Sequence, residues 1–488
     1  MKIYTLNYKI LIKIVLFLGI LFSSKISAHD IKNQTFNNID KYVKNIQKEA
    51  NIPNISIGII KDNNLIYKKS YSKNKAISPS SLFYIGSLTK SFTALAIMQL
   101  VEDKKINLDD SIRKHLPWFK IKDAKSIKNI TIRTLLNQTS GFSTFEGLKN
   151  FDNWDSSDFA LEKTIRDLKD ISLVSEPSTT FHYSNINYQI LGLIIEKVSK
   201  LTYEQYIEKN IFNKLNMKNS FTSLKDIDKT NIVQGHRLWF GQAVKSNFPF
   251  SKILLPAGYI ISDIKDMSKY LIAQLNNGKY KKEQVFSSSI IKQIQTPSFT
   301  IVKDKIHYSF GWFVDTSEEP YLNHLGGAPG YTSMMIIYPK EKLGLIVLTN
   351  ATSYTLNNKE LNGLAGGIID IIKNKKIKSN EFDIISISAY IILSILLILQ
   401  LYLFNHFIKN NKNNSKSKVI LLLVFDIIII ILLYFIFPRI YDLTFSTFLM
   451  FVPDIGYLIL GSIVLATLDF ITKISFFIVT ISNHIHKK

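Results

Sequence analysis

Apolar residues fall along this 488-residue chain in three rhythms, and each predicts a different kind of element. At the start, Lys2, Lys9 and Lys13 precede the run IVLFLGILF (Ile14 to Phe22), and SSKISA ends at Ala28. A basic flank, a short apolar stretch and a final small residue make residues 1–28 a signal-peptide pattern, with an uncleaved anchor as the alternative. At the other end, Ile384 to Ile408 is 25 residues without Asp, Glu, Lys or Arg, and Val419 to Phe437 is 19 residues with one aspartate. A third apolar stretch runs from about Phe448 to Ile471. Each is long enough to cross about 30 Å of hydrocarbon at roughly 1.5 Å per helical residue. Residues 384–488 are therefore expected to form a membrane domain of three transmembrane helices (about 384–408, 419–437 and 448–471).

Residues 29–383 carry shorter patterns. ISIGIIKDNNLIYKKSY (Ile55 to Tyr71) reads as a hairpin, an apolar strand and a second strand around an Asp-Asn-Asn turn. YSFGWFVDT, TSMMIIYP and LGLIVLTN are three strand-like runs before Asn350, and ELNGLAGGIIDIIKN (Glu360 to Asn374) is helical. Between these groups the pattern is mostly helical with long loops. The expectation is an α/β (α+β) fold: an antiparallel sheet of five or more strands, closed by both ends of the domain, flanked by helices and carrying a mostly helical subdomain.

Charge adds orientation. The loop KNNKNNSKSK between the first two spans holds Lys409, Lys412, Lys416 and Lys418. Positive loops stay in the cytoplasm, so the first span runs outside to inside. Residues 29–383 are then expected on the periplasmic or extracellular face of the cytoplasmic membrane, the topology that a signal peptide also demands. The tail after Lys473 is expected at the inner face. Asp426 and Asp469 fall within spans, where carboxylates are costly; they read as helix–helix contacts or as part of a polar path.

The 60 Lys and Arg residues outnumber 38 Asp and Glu, but only five are arginine and no basic stripe forms. That argues against a nucleic-acid partner. A basic surface facing anionic lipid or envelope polymer and a merely solvated one both remain open. Cysteine is absent, which excludes disulfides, thiolate metal sites and a cysteine nucleophile. The nine histidines show no metal-binding spacing and no phosphate loop is visible, so no metal or cofactor is expected.

Candidate chemistry centres on YIGSLTKSFTA (Tyr84 to Ala94). Ser-x-x-Lys recurs at Ser72/Lys75, Ser111/Lys114, Ser262/Lys265 and Ser289/Lys292, so Ser87/Lys90 stands out only by context. A glycine precedes Ser87, and an apolar helix with Phe92, Leu95, Ile97, Leu100 and Val101 follows. Positions i and i+3 share a helix face. A desolvated lysine loses its proton more readily and can serve as the base that a serine nucleophile needs. Two further elements follow. FHYSNINYQILG places Tyr183 and Asn185 before a helix expected near Asn187; HLGGAPGYTSMMIIYP places His324, Gly326 and Gly327 before a strand. Each alone has a bland reading as a loop, a Gly-rich turn or a structural histidine.

Together and in this order, the three elements resemble the serine β-lactamase/penicillin-binding superfamily, which shares a Ser-x-x-Lys motif. The branch with class C β-lactamases, D-alanyl-D-alanine carboxypeptidases, D-aminopeptidases and related esterases is the most similar. TIRTLLNQTSGFS and LPAGYIISDIKDMSKYL add to the resemblance, which covers about residues 36–375. It implies an acylated Ser87, Lys90 as its base and Tyr183 as a proton relay. It also implies Asn185, His324 and Gly326 as binding elements, with an oxyanion hole from the N–H groups of Ser87 and Gly327. Leu325 departs from the family's threonine, which removes a hydroxyl that helps hold a substrate carboxylate.

A signal peptide, this domain and three C-terminal helices resemble the periplasmic peptidases that remove an N-acyl-D-asparagine cap from natural products, the colibactin-maturing peptidase among them. The implied substrate is a small peptide, acyl-peptide or ester, cleaved next to a D-amino acid. In that group the membrane part is linked to delivery or partnering, which leaves a transporter partner open. Two alternatives stand beside this expectation: a carboxylesterase or β-lactamase on the same site, and a non-catalytic sensor of wall peptide.

Overall fold

The computed structural model describes residues 28–225, 227–352, 357–377, 384–410, 415–440 and 442–485. The expected signal peptide (apart from Ala28), Lys412 and the domain boundary at 383 lie outside the described residues. Helix α1 (Ala28–Glu49) buries Ile39, Val43 and Ile46, spaced four and three apart on one face. The expected hairpin follows as β1 (Asn54–Lys61) and β2 (Asn64–Ser72). Asp62 and Asn63 make its turn at φ 49° and 61°, left-handed values that Asp and Asn tolerate well.

The middle of the chain is mainly helical. It contains α2 (Thr89–Glu102), the short α3 (Thr144–Leu148) and α4 (Asn185–Ser199). The hairpin β3 (His236–Trp239) and β4 (Gln242–Lys245) comes next, then α5 (Leu255–Gly258) and α6 (Ile264–Leu275). Six strands close the domain: β5 (Phe299–Val302), β6 (Ile306–Ser309), β7 (Trp312–Asp315), β8 (Tyr321–Ala328), β9 (Tyr331–Tyr338) and β10 (Leu343–Thr349). Helix α7 (Asn357–Ile372) follows.

Eight strands form one antiparallel sheet in the order β2-β1-β10-β9-β8-β7-β6-β5. The two ends of the domain meet in it, with Ile55 opposite Thr349 and Lys61 opposite Leu343. Helices cover both faces. Ile55, Ile57 and Ile59 pack with Ile39 and Val43 of α1 and with Leu364 and Ile368 of α7. Ile60 belongs to the opposite core, with Phe92 of α2 and Ile264 of α6. Burial on both sides is why β1 reads as a continuous apolar run.

Two local expectations change. YSFGWFVDT is two strands, because Phe310 (φ 39°) and Gly311 (φ 85°) turn β6 back into β7. The His324 glycines do not precede a strand; they lie inside β8, opposite Met335, Met334, Ser333 and Thr332 of β9.

Three C-terminal helices are long and apolar enough to cross a membrane: Ile387–Asn410, Lys416–Ile440 and Pro453–Val479. They belong to α8 (Ile384–Asn410), α9 (Lys416–Ile440, with a π-turn at Leu432–Ile436) and α11 (Pro453–Ile485). The third begins later than the expected Phe448, because Phe445–Phe451 is a separate short helix, α10. Pro453 cannot continue α10 but suits the first turn of α11. Lys473 lies inside the third apolar helix, past the expected end at Ile471. It is buried, and its Nζ lies 2.8 Å from Asp426 Oδ2 and 2.7 Å from Asp469 Oδ2. The two span carboxylates thus share one lysine, and the triad ties α9 to α11.

Candidate active site

Ser87 sits in a single 3₁₀ turn, Gly86–Leu88, which leads into α2. Helix α2 is buried nearly all round, so it forms the spine of the helical half rather than a surface helix. The segment before it is pinned from two sides. Ser333 Oγ on β9 donates to Ile85 O at 2.7 Å, and Ile85 N donates to Ile260 O at 2.9 Å. Gly86 has φ +53°, and a Cβ there would lie 2.5 Å from Gly327 N. A Cβ on Gly326 would lie 2.3 Å from Ile85 O. Only paired glycines allow the nucleophile turn and β8 to approach this closely. The Ser87 and Gly327 backbones thereby become neighbours across the turn, and nothing stands within 4 Å of the Gly327 Cβ direction.

Lys90 is fully buried. Its Nζ lies 2.8 Å from Asn185 Oδ1, 2.7 Å from Ala257 O and 3.1 Å from Ser87 Oγ. Burial drives its pKa well below the usual 10.5, because desolvation penalises the ammonium. A neutral amine has two N–H donors and one lone pair. The Asn185 and Ala257 oxygens take both hydrogens, which leaves the lone pair for the Ser87 hydroxyl. The arrangement can accept the serine proton.

Tyr183 stands just before α4, with Lys90 Nζ 4.8 Å from its ring centroid. His324 is buried 6.0 Å from Tyr183, ring to ring. Its Nδ1 lies 2.7 Å from Leu325 O, so Nδ1 carries the proton and Nε2 offers a lone pair. Burial, and then the nearby Lys90, push the His324 pKa down to about 3. His324 is therefore neutral at physiological pH and adds no positive charge.

All seven residues singled out in the sequence, Ser87, Lys90, Tyr183, Asn185, His324, Gly326 and Gly327, converge on this one place. One detail differs. The Asn185 side chain is engaged on both atoms, with Oδ1 toward Lys90 and Nδ2 donating to Gly147 O at 3.4 Å. It holds the lysine in place through Oδ1. Helix α4 also begins at Asn185, two residues before the expected Asn187. The carbonyls of Ala257 and Gly147 were missed, because a backbone oxygen has no signature of its own; the LPAG run that makes α5 was the only trace.

A cavity of about 380 Å³ opens at the Ala328 end of β8, with Tyr84, three residues before Ser87, in its wall. Tyr84, Val233, Phe248, Tyr259, Ala328 and Tyr331 are among its walls. Its β8 wall, Ala328, lies one residue past Gly327.

The pH dependence follows. Lys90 acts as a base only when neutral, so Ser87 acylation by a neutral fluorophosphonate should fall as pH drops through a midpoint well below 10.5. His324, with a pKa of about 3, adds no limb between pH 5 and 8, and His324→Asn should keep the single-limb shape. A labelling rate still climbing at pH 10 would contradict the depressed lysine.

A family model described as Beta-lactamase matches residues 39–365. Protein flp of Staphylococcus aureus (strain MW2) is 30% identical over 331 residues, 66% of this chain and 64% of that protein. Penicillin-binding protein 4* of Bacillus subtilis (strain 168) is 28% identical over 290 residues, 57% of this chain and 63% of that protein. The chain thus spans somewhat under two thirds of the length of either relative. The octameric penicillin-binding protein homologue from Pyrococcus abyssi superposes with a TM-score of 0.61 at 27% identity, covering 74% of this chain and 81% of that one. The match over residues 39–365, on a fold that brings Ser87 and Lys90 together, makes the chain a member of the beta-lactamase family, with its penicillin-binding relatives and their serine hydrolase fold.

Proposed function

We propose that this chain is a membrane-anchored, outward-facing serine hydrolase that cleaves an amide next to a D-amino acid, in a wall peptide or an N-acyl-D-amino-acyl precursor. The observation that carries the chemistry is the buried Lys90 amine, held by Asn185 Oδ1 and Ala257 O within 3.1 Å of Ser87 Oγ, where its neutral form would turn its lone pair to the hydroxyl. In the first half-reaction Lys90 takes the Ser87 proton as Oγ bonds the carbonyl carbon. The oxyanion rests on the Ser87 and Gly327 N–H groups, where losing one such donor typically costs about 10²–10³ in rate. The C–N bond then breaks, and the proton reaches the leaving nitrogen through Tyr183. In the second half-reaction water gives a proton to Lys90 and its oxygen bonds the ester carbonyl carbon; the C–Oγ bond then breaks as Lys90 returns that proton to Ser87 Oγ, and the acid leaves. The signal peptide and the lysine loop support the outward orientation.

The substrate reading rests on what the leaving-group end lacks. Leu325 offers no hydroxyl and neutral His324 offers no cation, so nothing there favours a carboxylate. The penicillin-binding names of two relatives support a D-amino-acid centre. The sensor alternative loses ground, since a binding protein has no need of a base aimed at its serine. An esterase or β-lactamase shares the site and is decided by turnover. The full-length protein should be offered D-Ala-D-Ala peptides, N-acyl-D-Asn amides, short esters and nitrocefin side by side. Carboxylate-free D-amino-acyl amides should give the highest kcat/KM. Leu325→Thr combined with His324→Lys should raise nitrocefin turnover by about tenfold or more, on the order of one charge-assisted hydrogen bond. Fastest turnover of nitrocefin by the unaltered protein overturns the reading.

A further inference from the structure

The hydrolase domain and the membrane helices meet at one corner, made by α10, the start of α11 and Tyr390 of α8. Helix α10 ends in carbonyls that have no partner further along the helix. Arg237 of β3 caps that end, its Nη1 donating to Leu449 O at 2.9 Å, the favourable place for a cation. The buried Asp454, in the first turn of α11, accepts from Phe240 N at 3.3 Å and also from the Tyr390 hydroxyl. Trp239 stacks on Tyr457, with centroids 4.8 Å apart and planes 8° apart. A second contact joins the segment around α3. Phe151 meets the buried Phe451 edge to face at 5.0 Å, and the Arg439 guanidinium lies 5.4 Å from the Phe145 ring centroid.

Both contacted segments run on into the active site. Gly147 O of α3 accepts from Asn185, which itself holds Lys90, and a Cβ on Gly147 would lie 2.5 Å from Ser184 Oγ. On the other side the Arg237 guanidinium lies 5.3 Å from the ring centroid of Phe248, a wall of the cavity at the Ala328 end of β8. Phe248 in turn packs against Trp154 at 5.8 Å.

We infer that the membrane tail is a working part of the hydrolase site. Its corner fixes, through Arg237, the Phe248 wall of the cavity that takes the acyl part of the substrate and, through Phe451, the α3 segment whose Gly147 carbonyl holds Asn185, and so helps set which acyl groups are accepted. Arg237 and Phe451 are positioning residues, since neither reaches Ser87. This rests on the proposed reading of Ser87 as nucleophile. Its own content is that selectivity for the acyl group is written partly in the membrane domain. Loosening a wall penalises a substrate that fills the cavity far more than one that leaves it empty.

The test compares p-nitrophenyl octanoate with p-nitrophenyl acetate on the full-length protein in detergent. The readout is the ratio of their kcat/KM values, beside the rate of Ser87 labelling by a fluorophosphonate. Arg237→Ala and Phe451→Ala should each lower the octanoate-to-acetate ratio about tenfold, mainly through KM, on the scale of a methylene or two in an apolar pocket. Arg237→Lys, which can still donate to the Leu449 carbonyl, should bring the ratio back to within about threefold. Should Phe451→Ala fail to fold, Phe451→Leu keeps the site filled and should still lower the ratio about threefold. An unchanged ratio in folded Arg237 and Phe451 variants overturns the inference while leaving the nucleophile intact. Absence of Ser87 labelling in the unaltered protein instead removes the hydrolase reading, and this inference with it.

Discussion

Ser87→Ala should abolish covalent labelling by fluorophosphonates and lower kcat about 10⁴–10⁶-fold, the range seen when a nucleophile or its base is removed from a serine hydrolase. Lys90→Met should cost nearly as much, and the double variant little more than either single one. The reason is geometric. Lys90 has no second task in the site; its contacts to Asn185 and Ala257 aim its lone pair. Without that base the Ser87 hydroxyl has lost its activation, and without the hydroxyl the base has nothing to act on. The check is single-turnover acylation followed by intact-mass measurement on all three variants. Additive losses in the double variant, or an adduct on another serine, would show that the two residues do not form one unit.

Lys473→Leu should be the most damaging substitution in the three long apolar helices. It strands Asp426 and Asp469 in a buried site with no other cation at hydrogen-bonding distance among the described residues. Breaking a buried pair from one side typically costs about 3–5 kcal/mol. The full-length protein should lose most of its yield and its monodisperse profile in mild detergent. Removing all three charges together (Asp426→Leu, Lys473→Leu, Asp469→Leu) should restore both, because an apolar replacement of a whole buried cluster is often neutral. If the triple variant behaves as badly as the single one, the triad does more than join helices.

Much of the fold was legible because burial on both faces writes itself into composition. β1, β9 and β10 are buried along nearly their whole length and mostly apolar, and their runs identified the sheet and its closure. Short or interrupted strands were harder. β6 and β7 merged in the sequence because Tyr308, Phe310, Trp312 and Val314 are apolar or aromatic on both sides of the Phe310–Gly311 turn. β8 alternates buried and half-exposed positions, and its glycines imitate a loop. In the site, side-chain chemistry was readable from Ser87, Lys90, Tyr183 and His324, but the partners that orient Lys90 include a backbone carbonyl. Lys473 falls past the expected end of the third span at Ile471, and only packing against α9 shows that Asp426 joins Asp469, four residues before it, on the same amine.

The way the sheet closes also has a consequence in time. β1 and β10 pair across about 290 residues of chain, with Ser87 lying soon after the first and Gly327 shortly before the second. Contacts of such long range form late and slowly, because loop closure must be met before pairing rewards it. Ser87 and Lys90 can take helical form early, yet Gly327, which packs against the Gly86 turn, arrives only when the last strands dock. A growing chain therefore carries its serine unarmed. Ser87 acquires its full environment only once nearly all of residues 39–365 have been made, just ahead of the three long apolar helices.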